Sequence, residues 1–95
     1  MTMLQRIKTA LRISAVDYDE EVTGLIAAAR EHLRTSGVSE AVLASEDPAP
    51  LVEQAITIYC KSNFGFDNPD ADRLDKSFKS ISDKLLFSSE FRSES

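Results

Sequence analysis

Histidine and cysteine often act in catalysis and each occurs once in this sequence, and the first of the two is His32. It is the only histidine among 95 residues, so any acid–base or nucleophilic arrangement with an imidazole must use it. It lies beside Leu33 and between Arg30 and Arg34, in a segment whose apolar helical stripe is already complete. We therefore expect a surface or interface histidine rather than a catalytic one.

Cys60 is the second such residue and the only cysteine, which excludes an intramolecular disulfide and a cysteine-based zinc site. It stands between Tyr59 and Lys61, and one neighbouring lysine is weak support for a reactive thiolate. We expect a buried structural thiol in a reducing compartment.

The acidic stretch from Asp67 to Asp72 resembles the opening of a calcium-binding loop, because oxygen-bearing side chains recur along it. Arg73 stands where such a loop needs glycine, and Lys79 stands where it needs a closing glutamate. We therefore expect these acids to cap a helix. The glycines, at positions 24, 37 and 65, are too far apart to form a phosphate-binding loop. The sequence predicts no catalytic residue, metal or cofactor, and a protein that is not an enzyme.

The composition is that of one small globular domain, with 42% hydrophobic and 28% charged residues. Aromatic residues make up only 7% and Trp is absent, so few large side chains are available for a core. Since ordering the chain costs roughly 1.5 kcal/mol per residue, we expect a marginal monomer that gains stability from oligomerisation or a partner. The longest apolar run, residues 25–29, is far too short to span a bilayer, and no apolar signal segment follows the basic start. We expect a soluble protein without a secretion signal.

Apolar residues recur at helical spacing in four segments, which predicts an all-α fold, a small bundle of about four helices. The predicted helices span residues 3–12, 18–35, 48–64 and 69–86. A longer loop at 36–47 joins the second and third, with one helical turn within 38–46, and a frayed polar tail follows the fourth. We predict one helical domain over residues 1–91 and a polar tail at 92–95. The apolar stripes place Leu25 and Ile56 in the core.

Turn-forming and capping residues predict where the helices begin and end. Asp17 with Glu20 three positions later has the pattern of a capping box. The Asp-Pro and Asn-Pro pairs at 47–48 and 68–69 place a capping side chain before a proline that suits the first helical turn. Gly37 predicts the end of the second helix.

Charges near the start of the chain are separated by sign. The bases of residues 1–13 are Arg6, Lys8 and Arg12, and the acids of residues 17–21 are Asp17, Asp19, Glu20 and Glu21. Either the basic start of one copy meets the acidic turn of another, or the acids cap a helix beside a solvated basic face. The net charge of −5 disfavours non-specific binding to nucleic acid or anionic lipid.

A helix-turn-helix protein would present a basic helix to the major groove of DNA. In this chain the best-defined helices begin with acids, and the bases of the fourth predicted helix alternate with Asp72, Asp75 and Asp83. Interleaved charges cancel the positive field that attracts DNA. Sequence-specific DNA binding is therefore disfavoured.

The elements come in a distinctive order. A first helix ends at residues 11–13 (LRI), an acidic start opens a helix containing residues 25–30 (LIAAAR), and residues 51–56 (LVEQAI) lead to Tyr59 and the Phe-Gly pair at 64–65. This order, over about residues 3–91, resembles the small head-tail connector proteins of tailed bacteriophages, also called adaptor, head-completion or DNA-packaging proteins. The long loop with prolines before the third helix departs from the pattern of that family.

The resemblance implies a non-enzymatic ring of identical subunits, dodecameric on the portal protein. Such a ring docks beneath the portal of a filled head, extends the DNA channel and receives the next neck or tail-completion protein. DNA would be passing cargo, no membrane would be bound, and the protein would reside in the virion neck after assembly in the host cytoplasm. The residues that we assign to subunit or portal contacts are Arg6, Lys8, Arg12, Asp17, Asp19, Glu20, Phe87 and Phe91. The alternative is a small helical regulatory module that binds one protein partner through the fourth helix and the tail.

Overall fold

A computed structural model describes residues 2–65 and 68–93, and the regular elements in those residues are all helical. They are α1 (Met3–Leu11), a 3-10 turn (Val16–Tyr18), α2 (Asp19–Ser36), α3 (Glu40–Leu43), α4 (Pro50–Asn63) and α5 (Ala71–Phe87). The all-α prediction and the four longer helices are confirmed, and α3 is the helical turn expected within 38–46. Asp67, in the calcium-like stretch, and residues 94–95 of the predicted tail lie outside the described residues.

The core forms where α4 packs along α5 and against α2, with α1 at one side. Because the apolar positions of each helix repeat on one face, their burial joins the helices into a single cluster. Ile56 is fully buried as predicted, whereas Leu25 is only half-buried because it lies at the edge of the α2 stripe. The side chains exposed by 1% or less are Met3, Ile7, Val22, Ala29, Leu33, Val38, Val52, Ala55, Ile56, Cys60 and Leu85.

Helix α1 is capped at both ends. The Thr2 hydroxyl accepts from the Gln5 backbone N–H at 3.2 Å, and the Gln5 side chain accepts from the Thr2 backbone N–H at 2.9 Å, which completes a capping box. At the other end Arg12 has a left-handed backbone, with φ of 62°, and its N–H bonds to the carbonyls of Lys8 and Thr9. A non-glycine residue in this conformation is strained, so the turn after α1 holds Arg12 in an unfavourable backbone.

The start of α2 differs from the expected capping box of Asp17 and Glu20. The 3-10 turn runs directly into α2, and the N-cap residue is Tyr18, with φ of −96°, ψ of 0° and no capping side-chain bond. A capping box needs an extended N-cap residue, which this continuous turn does not provide. The predicted end is confirmed, because Gly37 closes α2 with φ of 119°.

Helices α4 and α5 each begin two residues later than predicted. Residues before proline are held in extended backbone, so Ala49, with ψ of 148°, becomes the N-cap and Pro50 the first residue of α4. Asn68 does not cap α5: its side-chain oxygen accepts from the Asp70 N–H at 3.0 Å, and its amide donates to the Lys61 carbonyl at 2.6 Å. Asn68 therefore fastens the α4–α5 connection.

The segment after α5 is held to the bundle through residue 93, which differs from the expectation of a frayed tail. The Ser39 N–H donates to the Phe91 carbonyl at 2.7 Å, and the Ser93 N–H donates to the Gly37 carbonyl at 2.6 Å. Val38 and Arg92 form an isolated antiparallel bridge between these two bonds. The sequence pattern did not show this pairing because two bridged residues have no strand-like alternation.

Candidate functional site

The His32 imidazole makes ring contacts with two aromatic side chains. Its imidazole centroid lies 5.2 Å from that of Tyr59 and 6.5 Å from that of Phe78, where α2 meets α4 and α5. No described side chain hydrogen-bonds to the imidazole, so the orienting partner that general-base catalysis requires is missing from the described residues. Burial raises the pKa of the neighbouring Tyr59 hydroxyl, so it stays protonated. The three rings stabilise the helix junction.

Cys60 is a core residue. Its side chain is fully buried, and burial raises the pKa of the thiol to about 12. A thiol with this pKa stays protonated at neutral pH and is a poor nucleophile. Within residues 2–65 and 68–93, no cluster of three His, Cys, Asp or Glu side chains could hold a metal ion, and no helix is long and apolar enough to cross a membrane.

Arg6 joins α1 to α4 and to the segment before it. Its Nε donates to Glu53 Oε1 at 2.7 Å, and its Nη2 donates to the Glu46 carbonyl at 2.7 Å. The Asp47 carboxylate lies 3.7 Å from the same Nη2. In the isolated chain, Arg6 is thus used to position α1.

Lys8 and Asp19 pair within one chain. Lys8 Nζ donates to Asp19 Oδ1 at 2.5 Å, across the turn between α1 and α2. The basic start and the acidic turn therefore meet inside the subunit through this pair. Lys8 is therefore not part of the solvated basic face that was one of the two expectations, because its side chain is only 12% exposed.

The other assigned contact residues have different surroundings. Arg12, Asp17 and Glu20 are exposed, and Phe87 is 87% exposed at the C-terminal end of α5. Phe91 is half-buried against the core, so its ring serves the subunit itself. Among the assigned residues, Phe87 is thus the more exposed of the two large apolar side chains.

A second apolar surface lies at the opposite end of the α4–α5 pair from Phe87. Tyr18 and Phe64 contact edge-on, with ring centroids 5.5 Å apart, beside a cavity of about 430 Å³ that Glu21 and Gly65 also line. The end of α4 adjoins the start of α5, since the Ser62 hydroxyl donates to the Ala71 carbonyl at 3.3 Å. The 17 residues of α5 span roughly 25 Å at 1.5 Å per residue, which is the separation of the two surfaces along the helix.

Arg30 is a charged residue that the sequence assignment missed. It lies with Arg34 in a shallow cavity of about 270 Å³ between α2 and α3. Its Nε and Nη2 are shielded from solvent and no described residue accepts a hydrogen bond from either. The periodicity contained a signal for this position, because residue 30 follows Ile26 by four and precedes Leu33 by three, on the buried face of α2.

Arg34, in contrast, is paired. Its guanidinium donates to both carboxylate oxygens of Glu31, one turn earlier, and this bond lowers the pKa of Glu31. Glu31, which also lines the cavity, is therefore already engaged as an acceptor. Arg30 differs from its neighbour in having no acid assigned to it.

One family model matches nearly the whole chain. Residues 3–92 match the family model described as phage connector protein. No curated protein and no solved structure matches this chain. The match spans α1 through α5 and the segment that pairs with Val38, so it covers the complete described bundle. The chain belongs to the phage connector protein family.

Proposed function

We propose that this protein forms a ring of identical subunits that docks on the portal, extends the DNA channel and links the filled head to the tail. The observation that carries the proposal is the family match over residues 3–92, since connector proteins of phages are structural parts of the neck. In this proposal its partners are further copies of the chain, the portal protein and the next neck or tail-completion protein. Assembly takes place in the host cytoplasm.

The surface of the subunit supports head-to-tail association. A closed ring of identical copies needs two different complementary surfaces on each copy. Exposed Phe87 and the Tyr18–Phe64 cavity are two apolar surfaces at opposite ends of the α4–α5 pair. Their burial between neighbours would add the apolar area that a 95-residue chain with few large core residues lacks.

The charge of the chain suits passage of DNA. A net charge of −5 disfavours adhesion to a polyanion, so a channel built from this chain would let DNA slide.

The alternative function, a regulatory module, requires α5 and the tail to be free for a protein partner. The hydrogen bonds of Ser39 with Phe91 and of Gly37 with Ser93 hold residues 91–93 to the subunit, which favours the connector proposal.

Native mass spectrometry of the purified chain, alone and mixed with purified portal rings, tests the proposal. We expect portal complexes that carry a fixed number of chains, and electron microscopy should show added density along the portal axis. The portal incubated with an unrelated acidic helical protein is the control. A chain that stays monomeric and never joins the portal would contradict the proposed function.

A further inference from the structure

The side-on edge of Arg30 lacks a hydrogen-bond acceptor. Nε and Nη2 lie on the same edge of a guanidinium, which is the edge that binds a carboxylate through two parallel N–H···O bonds. In this chain both atoms are shielded from solvent and neither donates to a described residue. A charged donor buried without a partner is unfavourable, so any acceptor that reaches it lowers the free energy.

The subunit does not supply the acceptor from the walls of the cavity. Glu31 binds Arg34, and Glu40, which lines the same cavity, makes no hydrogen bond with Arg30. Glu31 and Glu40 balance the charges of Arg30 and Arg34 in the cavity lining, so the cavity has no excess positive charge to attract a nucleic-acid backbone. A single carboxylate, whose charge Arg30 neutralises, fits this surface better than a chain of phosphates.

Free carboxylates are present at the other end of the same helix. Glu20 and Glu21, in the first turn of α2, are exposed and take part in no ion pair among the described residues. Ten residues separate Glu20 from Arg30, which is about 15 Å along a rigid helix. An acid of this turn therefore cannot reach the Arg30 of its own chain and must come from another copy.

We propose that the acidic first turn of α2, Glu20 and Glu21, docks in the cavity of the neighbouring subunit and binds the side-on edge of its Arg30. The proposal rests on the ring proposed above and names one contact that closes it. The Arg30 side chain swings from its covered position into the cavity, which exchanges unpaired donors for a charge-assisted pair. Because donor and acceptor are on different surfaces of each copy, the contact is head-to-tail and repeats around a ring.

In this proposal the basic partner of the acidic turn is Arg30 of the neighbouring subunit, and not a residue at the start of the chain. Lys8 is already paired with Asp19, and Arg6 with Glu53, so these two cations are occupied within the subunit. The buried donors of Arg30, in contrast, have no acceptor among the residues that the structure describes. The sequence-based idea that acids of one copy meet bases of another is thus kept, with a different base.

A double-mutant cycle on portal-bound chains tests the contact. The variants are Arg30→Met, the pair Glu20→Gln with Glu21→Gln, and all three changes together. The matched control is Asp72→Asn with Asp75→Asn, which changes the net charge equally at exposed positions of α5 away from Phe87 and from the Arg30 cavity. Native mass spectrometry with portal rings measures the occupancy of each variant, and urea unfolding measures the stability of each free chain.

We expect Arg30→Met to weaken assembly by roughly 30-fold or more, as for loss of one partner of a buried charge pair. The free chain should be as stable as the wild type or more so, because an unpaired donor has been removed. The double variant Glu20→Gln with Glu21→Gln should weaken assembly by a similar factor. The triple variant should assemble about as weakly as either of these variants, because all of them remove the same contact. The control should assemble like the wild type.

Three outcomes would overturn the contact while leaving the ring in place. These are wild-type assembly by Arg30→Met, losses that multiply in the triple variant, and an unfolding free energy that falls in Arg30→Met. If Arg30→Met assembled normally but the assembled heads retained DNA less well, Arg30 would bind DNA phosphates. That result would also overturn the proposed contact between subunits. If the wild type itself fails to join portal rings, both this contact and the proposed function are wrong.

Discussion

Arg6 Nε on α1 donates to Glu53 Oε1 on α4 at 2.7 Å, although 47 positions separate the two residues in sequence. Both side chains are partly shielded, at 23% and 31% exposure, so the pair is less screened than a surface ion pair. The pair fixes the first helix to the centre of the bundle.

We expect a double-mutant cycle of Arg6→Met and Glu53→Gln to give a coupling free energy of about 1 kcal/mol in the free chain. Urea unfolding of the monomer measures it. The control pair is Arg73→Met and Asp70→Asn, an exposed contact at 3.6 Å, which should give a coupling near zero. If Arg6 acted only between subunits, the Arg6–Glu53 coupling would be absent from the monomer.

Ile56→Ala should lower the unfolding free energy by about 2–5 kcal/mol, because the fully buried side chain leaves a cavity. Leu25→Ala should cost roughly half as much or less, since Leu25 is only half-buried. Urea denaturation at equal protein concentration compares the two. Equal losses would show that Leu25 is buried as deeply as its place in the stripe suggested.

Arg12→Gly should raise the unfolding free energy by about 0.5–1 kcal/mol, because glycine adopts the left-handed backbone after α1 without strain. Arg12→Val, the opposite change, should lower it, since a β-branched residue fits that conformation poorly. Thermal unfolding of both variants checks the prediction. A destabilised Arg12→Gly chain would mean that the Arg12 side chain contributes more than its backbone costs.

The Cys60 thiol should make stability fall with rising pH above about 9. Burial raises its pKa from 9.0 to about 12 in the folded chain, so between these values the unfolded state has lost a proton that the folded state keeps. The stabilisation is complete below pH 9 and is lost progressively towards pH 12. From pH 9 to 10 the loss is about 1 kcal/mol. Urea unfolding at both pH values should show a smaller decline in Cys60→Ala, and equal declines would contradict the buried thiol.

Phe87→Ser should leave the monomer about as stable as the wild type, because its ring is 87% exposed, while portal assembly weakens. Phe91→Ser is the matched comparison: its half-buried ring packs on the core, so the variant should lose monomer stability by about 1–2 kcal/mol. Urea unfolding and native mass spectrometry with portal separate the two effects. Assembly of Phe87→Ser at wild-type level would remove Phe87 from the proposed interface.

Periodicity predicted the helices and most of the core, because burial of one helical face depends on local spacing. It did not predict the cap of α2 or the first residues of α4 and α5, which depend on distant partners and on backbone geometry. Asp19 pairs with Lys8 rather than joining a cap, and Pro50 forces Ala49 out of the helix. The assigned contact residues were chosen by the sign of their charge or, for Phe87 and Phe91, as apolar residues in a polar tail, so the internal pairing of Lys8 was not visible in the sequence.

The surroundings of Arg30 could be predicted from the sequence only in part. Its position on the buried face of α2 was implicit in the spacing from Ile26 and Leu33. Whether a buried guanidinium has an acceptor depends on which neighbouring acids already bind another base. The sequence does not show that Glu31 binds Arg34 and leaves the Arg30 donors without an acceptor among the described residues.

The bridge between Val38 and Arg92 also affects how the chain can be rearranged. Because these residues lie side by side, the segment between them, with α3, α4 and α5, enters and leaves the rest of the bundle at one place. A segment with adjacent ends can be exchanged with both junctions at one place, if the core contacts of α4 with α1 and α2 are kept. Chimeras of different members of the family could therefore be joined at these two positions.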